Sequence, residues 1–258
     1  MKYPCYKSYL LFKIHLQCRL IIRKNFYSRR EPQKFRDLYL GRPPRRDHPL
    51  FFLWDVDPRR MTRWILHGEV MLAVWDLLLE KKPMNIFEFG SGWSTAVLGK
   101  YAEYMEKTQA KRPQVISIEH DEKWASAAQT IMEDYGLNRY IHLHICPLIE
   151  RAIDGDQGSI YDLSRVDIGS IDFLLIDGPP STVGRNLTLP AVLSKIEPSC
   201  YVVMDDLGRN QEHQAIKHWC AKFRDRIRLA GYVPAGKGIG CLVTNLERLP
   251  NTKEKNFH

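Results

Sequence analysis

The sequence predicts an α/β fold built on a doubly wound, mainly parallel sheet. Three observations lead there. From residue 85 onward, short apolar runs alternate with helical periodicities. A glycine loop, Gly90-Ser-Gly-Trp-Ser-Thr95, directly follows the first run. Later runs end in acidic residues: Glu119, Asp177 and the pair Asp205-Asp206. In such sheets the ligand crevice lies beyond the carboxyl ends of the strands, so these positions share one rim.

The elements follow in order. Residues 1–30 read as a basic amphipathic helix, with Leu10, Leu11, Ile14, Ile21 and Ile22 set among Lys7, Lys13, Arg19, Arg23 and Lys24. That pattern suits either an anionic membrane surface or acidic partner, or an arm packed on its own domain. Residues 31–56 are rich in Pro and Arg around Arg42-Pro-Pro-Arg-Arg46 and read as a linker extended along the surface. The main domain is expected over 57–247, with a short tail over 248–258. Asp57 is placed to cap a helix with Pro58 at its first position. Met61, Trp64, Ile65, Met71, Leu72, Trp75, Leu78 and Leu79 continue it, and Lys81-Lys82-Pro83 closes it.

Strands are then expected at 85–89, 115–118, 141–146, 171–176, 201–204 and 240–244. Helices are expected after the glycine loop to about Lys107, over 122–135 with Gly136 as its stop, over 188–196 and over 211–227.

Composition narrows the function. The 258 residues are 44% hydrophobic, which sustains a core, and the net charge is +8. The charge is uneven. Residues 1–68 hold 16 Lys+Arg against 5 Asp+Glu, a balance of +11, so residues 69–258 carry −3. A nucleic-acid enzyme should have a basic working cleft, so nucleic acid is not the expected partner. The six cysteines lack metal-type spacing and read as free thiols of a cytoplasmic protein. The apolar stretch Tyr9–Ile22 is interrupted by Lys13, His15, Gln17 and Arg19, so neither a membrane span nor a secretory signal is expected.

The rim positions carry the chemistry. Glycines after a first strand let a ligand approach the backbone, next to the free N–H groups of a helix start. A nicotinamide fingerprint would place a third glycine where Thr95 stands and an apolar residue where Glu88 stands. Glu88 instead suits a ligand bearing an ammonium group, and Ser94 or Thr95 can cap the helix. Glu119, at the end of the second strand, is placed to accept bonds from both hydroxyls of a ribose.

Glu88-Phe-Gly-Ser-Gly92 and Ile118-Glu-His-Asp121 resemble motifs I and II of class I S-adenosylmethionine-dependent methyltransferases. The resemblance continues through Asp172–Pro180 and Val202–Arg209 and spans about residues 60–245. It points most to the O-methyltransferases of small molecules, of the sugar and catechol types. It implies a seven-stranded Rossmann-like sheet whose final hairpin turns at Gly236–Gly240. It also implies that Glu88, Gly90 and Gly92 surround the methionine part of S-adenosylmethionine, with Ser91 and Thr95 also in the cofactor site. By the same resemblance, Glu119 meets its ribose, the segment Cys146-Pro-Leu148 borders its adenine, and His120 and Asp177 are also in the cofactor site.

Asp177, Asp205 and Asp206 bring three like charges to one crevice, which is costly unless a cation compensates them. Hard oxygen ligands suit Mg²⁺, and catechol-type relatives bind a metal at these strand ends. The alternative is that the aspartates cap the turn and helix that follow them. Asp177, Asp206 and His213 are the candidate catalytic groups, His213 as a base near neutrality. Arg185 and Arg209 either bind an acidic substrate group or neutralise the aspartates. Trp64 and Trp93 are placed to border the cavity. The expected reaction is methyl transfer to a hydroxyl of a small molecule or glycan. Another transferase on the same cofactor, a nicotinamide oxidoreductase and a non-catalytic interaction module are the alternatives. The acceptor and the oligomeric state stay open.

Overall fold

The structure, a computed structural model, describes residue 37 and residues 40–57, 66–233 and 237–244. The expectations for residues 1–30, 58–65 and 248–258, Trp64 among them, lie outside the described residues.

Among the described residues, nine strands and five α-helices follow residue 66. They are α1 Gly68–Lys81, β1 Asn85–Phe89, α2 Trp93–Gln109, β2 Gln114–Glu119, α3 Glu122–Asp134, β3 Ile141–Ile145, β4 Leu148–Ile153 and β5 Asp156–Tyr161. Then come β6 Ile171–Ile176, α4 Thr188–Val192, β7 Ile196–Met204, α5 Asn210–Lys222, β8 Ile227–Val233 and β9 Ile239–Thr244. Seven strands form one sheet in the order β3-β2-β1-β6-β7-β9-β8. The first five of these run parallel, and β9 runs antiparallel to both its neighbours. The doubly wound, mainly parallel architecture is therefore the one the alternation predicts.

Strand alternation sorts the apolar residues onto two faces. Ile86, Val115, Phe173, Leu175 and Val203 face the layer that contains α1 and α2. Phe87, Phe89, Ile116, Ile118, Leu174 and Ile176 face the layer that contains α4 and α5. Each fully buried side chain of this size contributes about 1.5–3 kcal/mol relative to exposure. Glu88 and Ser117 fall on the α2 face by the same parity, which brings a carboxylate into an otherwise apolar layer.

Four expectations need correction. The segment 40–56 is not a surface linker: Leu40, Leu50, Leu53 and Trp54 are buried in the core of the domain. Trp54 donates its indole N–H to the carbonyl of Gly41 at 3.2 Å, and a short 3₁₀ turn spans Phe51–Trp54. The helix expected from Asp57 to Lys81 is not continuous. His67 is extended (φ −64°, ψ 146°), and α1 begins at Gly68, where any Cβ would strike the carbonyl of Leu40. An additional hairpin, β4–β5, forms its own two-stranded sheet. Asp154 and Gly155 both have positive φ at its tip (51° and 86°), the signature of a tight two-residue hairpin turn. Finally, the last helix stops at Lys222, and Ile227 opens β8, the edge strand of the large sheet. No helix among the described residues is long and apolar enough to cross a membrane.

Candidate active site

The site starts at the end of β1. Glu88 is fully buried, and its Oε2 accepts hydrogen bonds from the hydroxyls of Thr95 and Ser117, both at 2.6 Å. Burial pushes the carboxyl up to about 7, opposed by the hydroxyls of Ser117, Ser94 and Thr95. Its Oε1 is buried with no hydrogen-bond partner among the described residues. Thr95, rather than Ser94, ties down the helix start, because its hydroxyl accepts the amide of Gly92 at 2.9 Å.

The two loop glycines have different reasons to be glycine. Gly90 has φ +91°, and a Cβ there would stand 2.8 Å from the amide nitrogen of Gly178. The loop after β1 and the loop after β6 thus touch backbone to backbone. A Cβ on Gly92 would meet nothing within 4 Å, so the space in front of it is open to a ligand.

Glu119 ends β2 and is 5% exposed. Its Oε2 accepts the amide of Ser91 at 3.1 Å, and its Oε1 accepts the amides of His120 (2.8 Å) and Asp121 (3.1 Å). The carboxylate therefore organises the glycine loop and its own strand end together. His120 Nδ1 approaches the same carboxylate at 2.8 Å without hydrogen-bonding geometry. Tyr161, at the end of β5, was not singled out by sequence. It stacks on Phe89 with ring centroids 5.4 Å apart and meets the His120 ring edge-on. A Cβ on Gly178 would collide with its hydroxyl, which is buried and has no hydrogen-bond partner among the described residues.

Asp177, Asp205 and Asp206 converge as expected, each offering one oxygen within 4.8 Å of the others. The structure also decides between the two readings of the arginines. Arg185, only 3% exposed, reaches Asp206 Oδ2 at 3.2 Å and Asp177 Oδ1 at 3.3 Å. It also donates to the carbonyls of Pro179, Asp205 and Asp177. Arg209 pairs with Asp206 at 2.8 Å and with buried Glu212 at 3.4 Å. Lys237, read from sequence only as part of a turn, pairs with Asp206 Oδ1 at 3.0 Å. The arginines thus neutralise the aspartates.

These contacts divide the three acids. Burial raises Asp206, but Lys237, Arg185 and Arg209 outweigh it and hold the carboxyl below its ordinary value. So disposed, Asp206 is held in its charged form among three cations. Burial lifts Asp177 to about 7, with Arg185 opposing, and its side chain keeps 19% of its surface open. Burial, and then the charges of Asp206 and Asp177, raise Asp205 well above its usual range. His213 lies half-buried on the first turn of α5. Leu148 opens β4 and packs against the core beside Cys146. Trp93 is 7% exposed and belongs to the core, not to a cavity rim.

Residues 87–207 match a family model described as a methyltransferase domain. That stretch holds the glycine loop, Glu119 and all three aspartates. The likeness is to a methyltransferase domain and covers just under half of the chain. The fold agrees with solved structures of methyltransferases. The O-methyltransferase from Bacillus cereus, bound to S-adenosylhomocysteine, superposes with a TM-score of 0.53 at 15% identity, covering 71% of this chain and 84% of that one. The S-adenosylhomocysteine-bound methyltransferase PaMTH1 from Podospora anserina gives 0.54 at 14% identity, covering 84% and 95%. The O-methyltransferase TomG from Streptomyces achromogenes, with S-adenosylmethionine bound, gives 0.51 at 13% identity, covering 72% and 83%. At these identities the likeness is one of fold. No curated protein sequence matches the chain.

Proposed function

We propose that this protein is a methyltransferase that transfers a methyl group from S-adenosylmethionine to a hydroxyl oxygen of a small molecule, and that Asp177 takes the hydroxyl proton. The observation that carries the reading is the contact of Gly90 with Gly178. It sets a loop fit for the cofactor directly against the loop that bears Asp177. The residues suit the cofactor. The buried, unpartnered Oε1 of Glu88 suits an ammonium group, and the open space at Gly92 admits a ligand close to the backbone. Glu119 stands at the neighbouring strand end for the ribose, with His120 next to it and Leu148 and Tyr161 on the following hairpin.

Bound there, the cofactor supplies an already activated methyl group. The protein's own work is to orient the acceptor and to accept one proton. A carboxyl near 7 that is still partly open suits proton acceptance at neutral pH. Hydroxyl acceptors are supported by the O-methyltransferase descriptions of the Bacillus and Streptomyces structures.

Isothermal titration with S-adenosylhomocysteine tests the first half. Binding that Glu88→Ala and Glu119→Ala weaken is expected; absence of binding to the parent protein ends the proposal. Asp177→Asn should keep cofactor binding and lose roughly 100-fold or more in turnover on any acceptor found. An undiminished rate in that variant, together with a collapse in His213→Gln, would move the base to His213.

A further inference from the structure

A divalent cation fits the spacing of the three carboxylates but not their charge balance. Asp206, which would have to be a ligand, already meets Lys237 on one oxygen (3.0 Å) and Arg185 and Arg209 on the other (3.2 and 2.8 Å). Three cations thus already stand among the three cluster acids and Glu212 before any ion enters, and all three of them meet Asp206. A dication placed among the acids would stand within a few ångströms of all three, and unlike hydrated surface charges, these are poorly screened.

The cations are also built in. Arg185 is fixed by bonds to three backbone carbonyls. Lys237 is fixed by its backbone: its carbonyl accepts the amide of Gly208 at 2.7 Å, and the carbonyl of Gly238 accepts the amide of Leu207 at 2.9 Å. The segment before β9 is thereby stapled to the turn that carries Asp205 and Asp206. Lys237 keeps 14% of its side chain exposed, and its charge acts on Asp177 and Asp205 as well as on Asp206.

Resting on the reading of this site as the methyl-transfer site, we propose that Lys237, supported by Arg185, takes the place of a divalent metal. Lys237 is then a positioning residue that holds the acidic rim in register for the acceptor, and transfer is metal-independent. One ammonium does not impose the two-oxygen chelation that a metal imposes, so the acceptor needs only a single hydroxyl rather than an adjacent pair.

Mn²⁺ is the probe, followed by its paramagnetic resonance signal in the EDTA-treated full chain. The parent protein is expected to bind no Mn²⁺ at micromolar concentrations. Lys237→Gln should gain at least about tenfold in Mn²⁺ affinity by freeing Asp206, and Lys237→Arg should behave as the parent. With a hydroxyl acceptor, turnover should be unchanged by EDTA, fall in Lys237→Gln with cofactor affinity retained, and recover in part in Lys237→Arg. Tight binding of one Mn²⁺ by the parent, abolished in Asp205→Asn, overturns the proposal. So does a Lys237→Gln variant whose Mn²⁺ affinity equals that of the parent. If Lys237→Gln does not fold, the parent measurement decides alone. Cofactor binding is titrated on the same samples. Its absence would end the methyl-transfer reading and leave the exclusion of metal as a separate result.

Discussion

Thr95 donates its hydroxyl hydrogen to Glu88 at 2.6 Å, and the same oxygen accepts the amide of Gly92 at 2.9 Å. One side chain thus joins a buried acid on β1, the glycine loop and the first turn of α2. Thr95→Val keeps the shape and removes both bonds. It leaves a buried carboxylate with one hydroxyl partner fewer, which should cost about 1–3 kcal/mol. A lower urea midpoint with an unchanged slope is the expected result.

Glu88 gives the free protein a pH signature. Its carboxyl sits at about 7 in the folded chain against an ordinary 4.5, because burial disfavours the charge. Between those values the folded state binds the proton and the unfolded state does not. The group's contribution to stability is therefore full below the ordinary value and is lost as pH rises through about 7. The melting temperature of Glu88→Gln should fall less than that of the parent across this window. Affinity for S-adenosylhomocysteine should run the other way in the parent, rising through the same window as the carboxylate ionises. Titrations at a series of pH values read both trends.

Gly90 and Gly92 separate folding from binding. Gly90→Ala forces a Cβ to 2.8 Å from the Gly178 nitrogen at φ +91° and should destabilise the fold by about 1–3 kcal/mol. Gly92→Ala adds a methyl group to open space, so its melting temperature should match the parent. Its cofactor affinity should nevertheless fall, since that methyl group would occupy ligand space. Thermal melts and calorimetry on the two variants check the contrast.

Arg185 offers a further test of stability. Replacing it by Ala strands Asp177, takes one of three cations from Asp206 and leaves three carbonyls without that donor. A loss of about 3–5 kcal/mol is expected from breaking a buried pair of this kind. Arg185→Lys should not restore it, because a single ammonium cannot span the acceptors that the guanidinium fork reaches. Chemical denaturation of the two variants measures both effects.

The parts of the site legible in the sequence are the local ones. Glu88, Gly90 and Gly92 lie within five residues of one another, and Glu119 is set by the end of a single apolar run. The parts that were not legible depend on distant approaches. Nothing near Lys237 announces Asp206, because the pair exists only once β9 has paired with β7. Tyr161 reaches the site through a hairpin whose flanks, Glu150, Arg151 and Gln157, lack the apolar alternation of a half-buried strand. Its Asp154-Gly155 turn was the available signal. The 211–227 periodicity ran past Lys222 because no glycine or proline stands there to stop it. Leu40, Leu50 and Trp54 were hidden by the prolines and arginines between them, although their burial is decided residue by residue.

The reversed direction of β9 has its own consequence. Gly240, near its start, lies opposite Met204, the last residue of β7. In a wholly parallel sheet, only residues that follow a strand would reach the rim where ligands lie. The single inverted strand lets residues that precede it arrive there too. One wall of the crevice is therefore contributed by a segment remote from the glycine loop in the chain. A change in that segment therefore alters the wall without touching the strands that carry Glu88, Glu119 and Asp177.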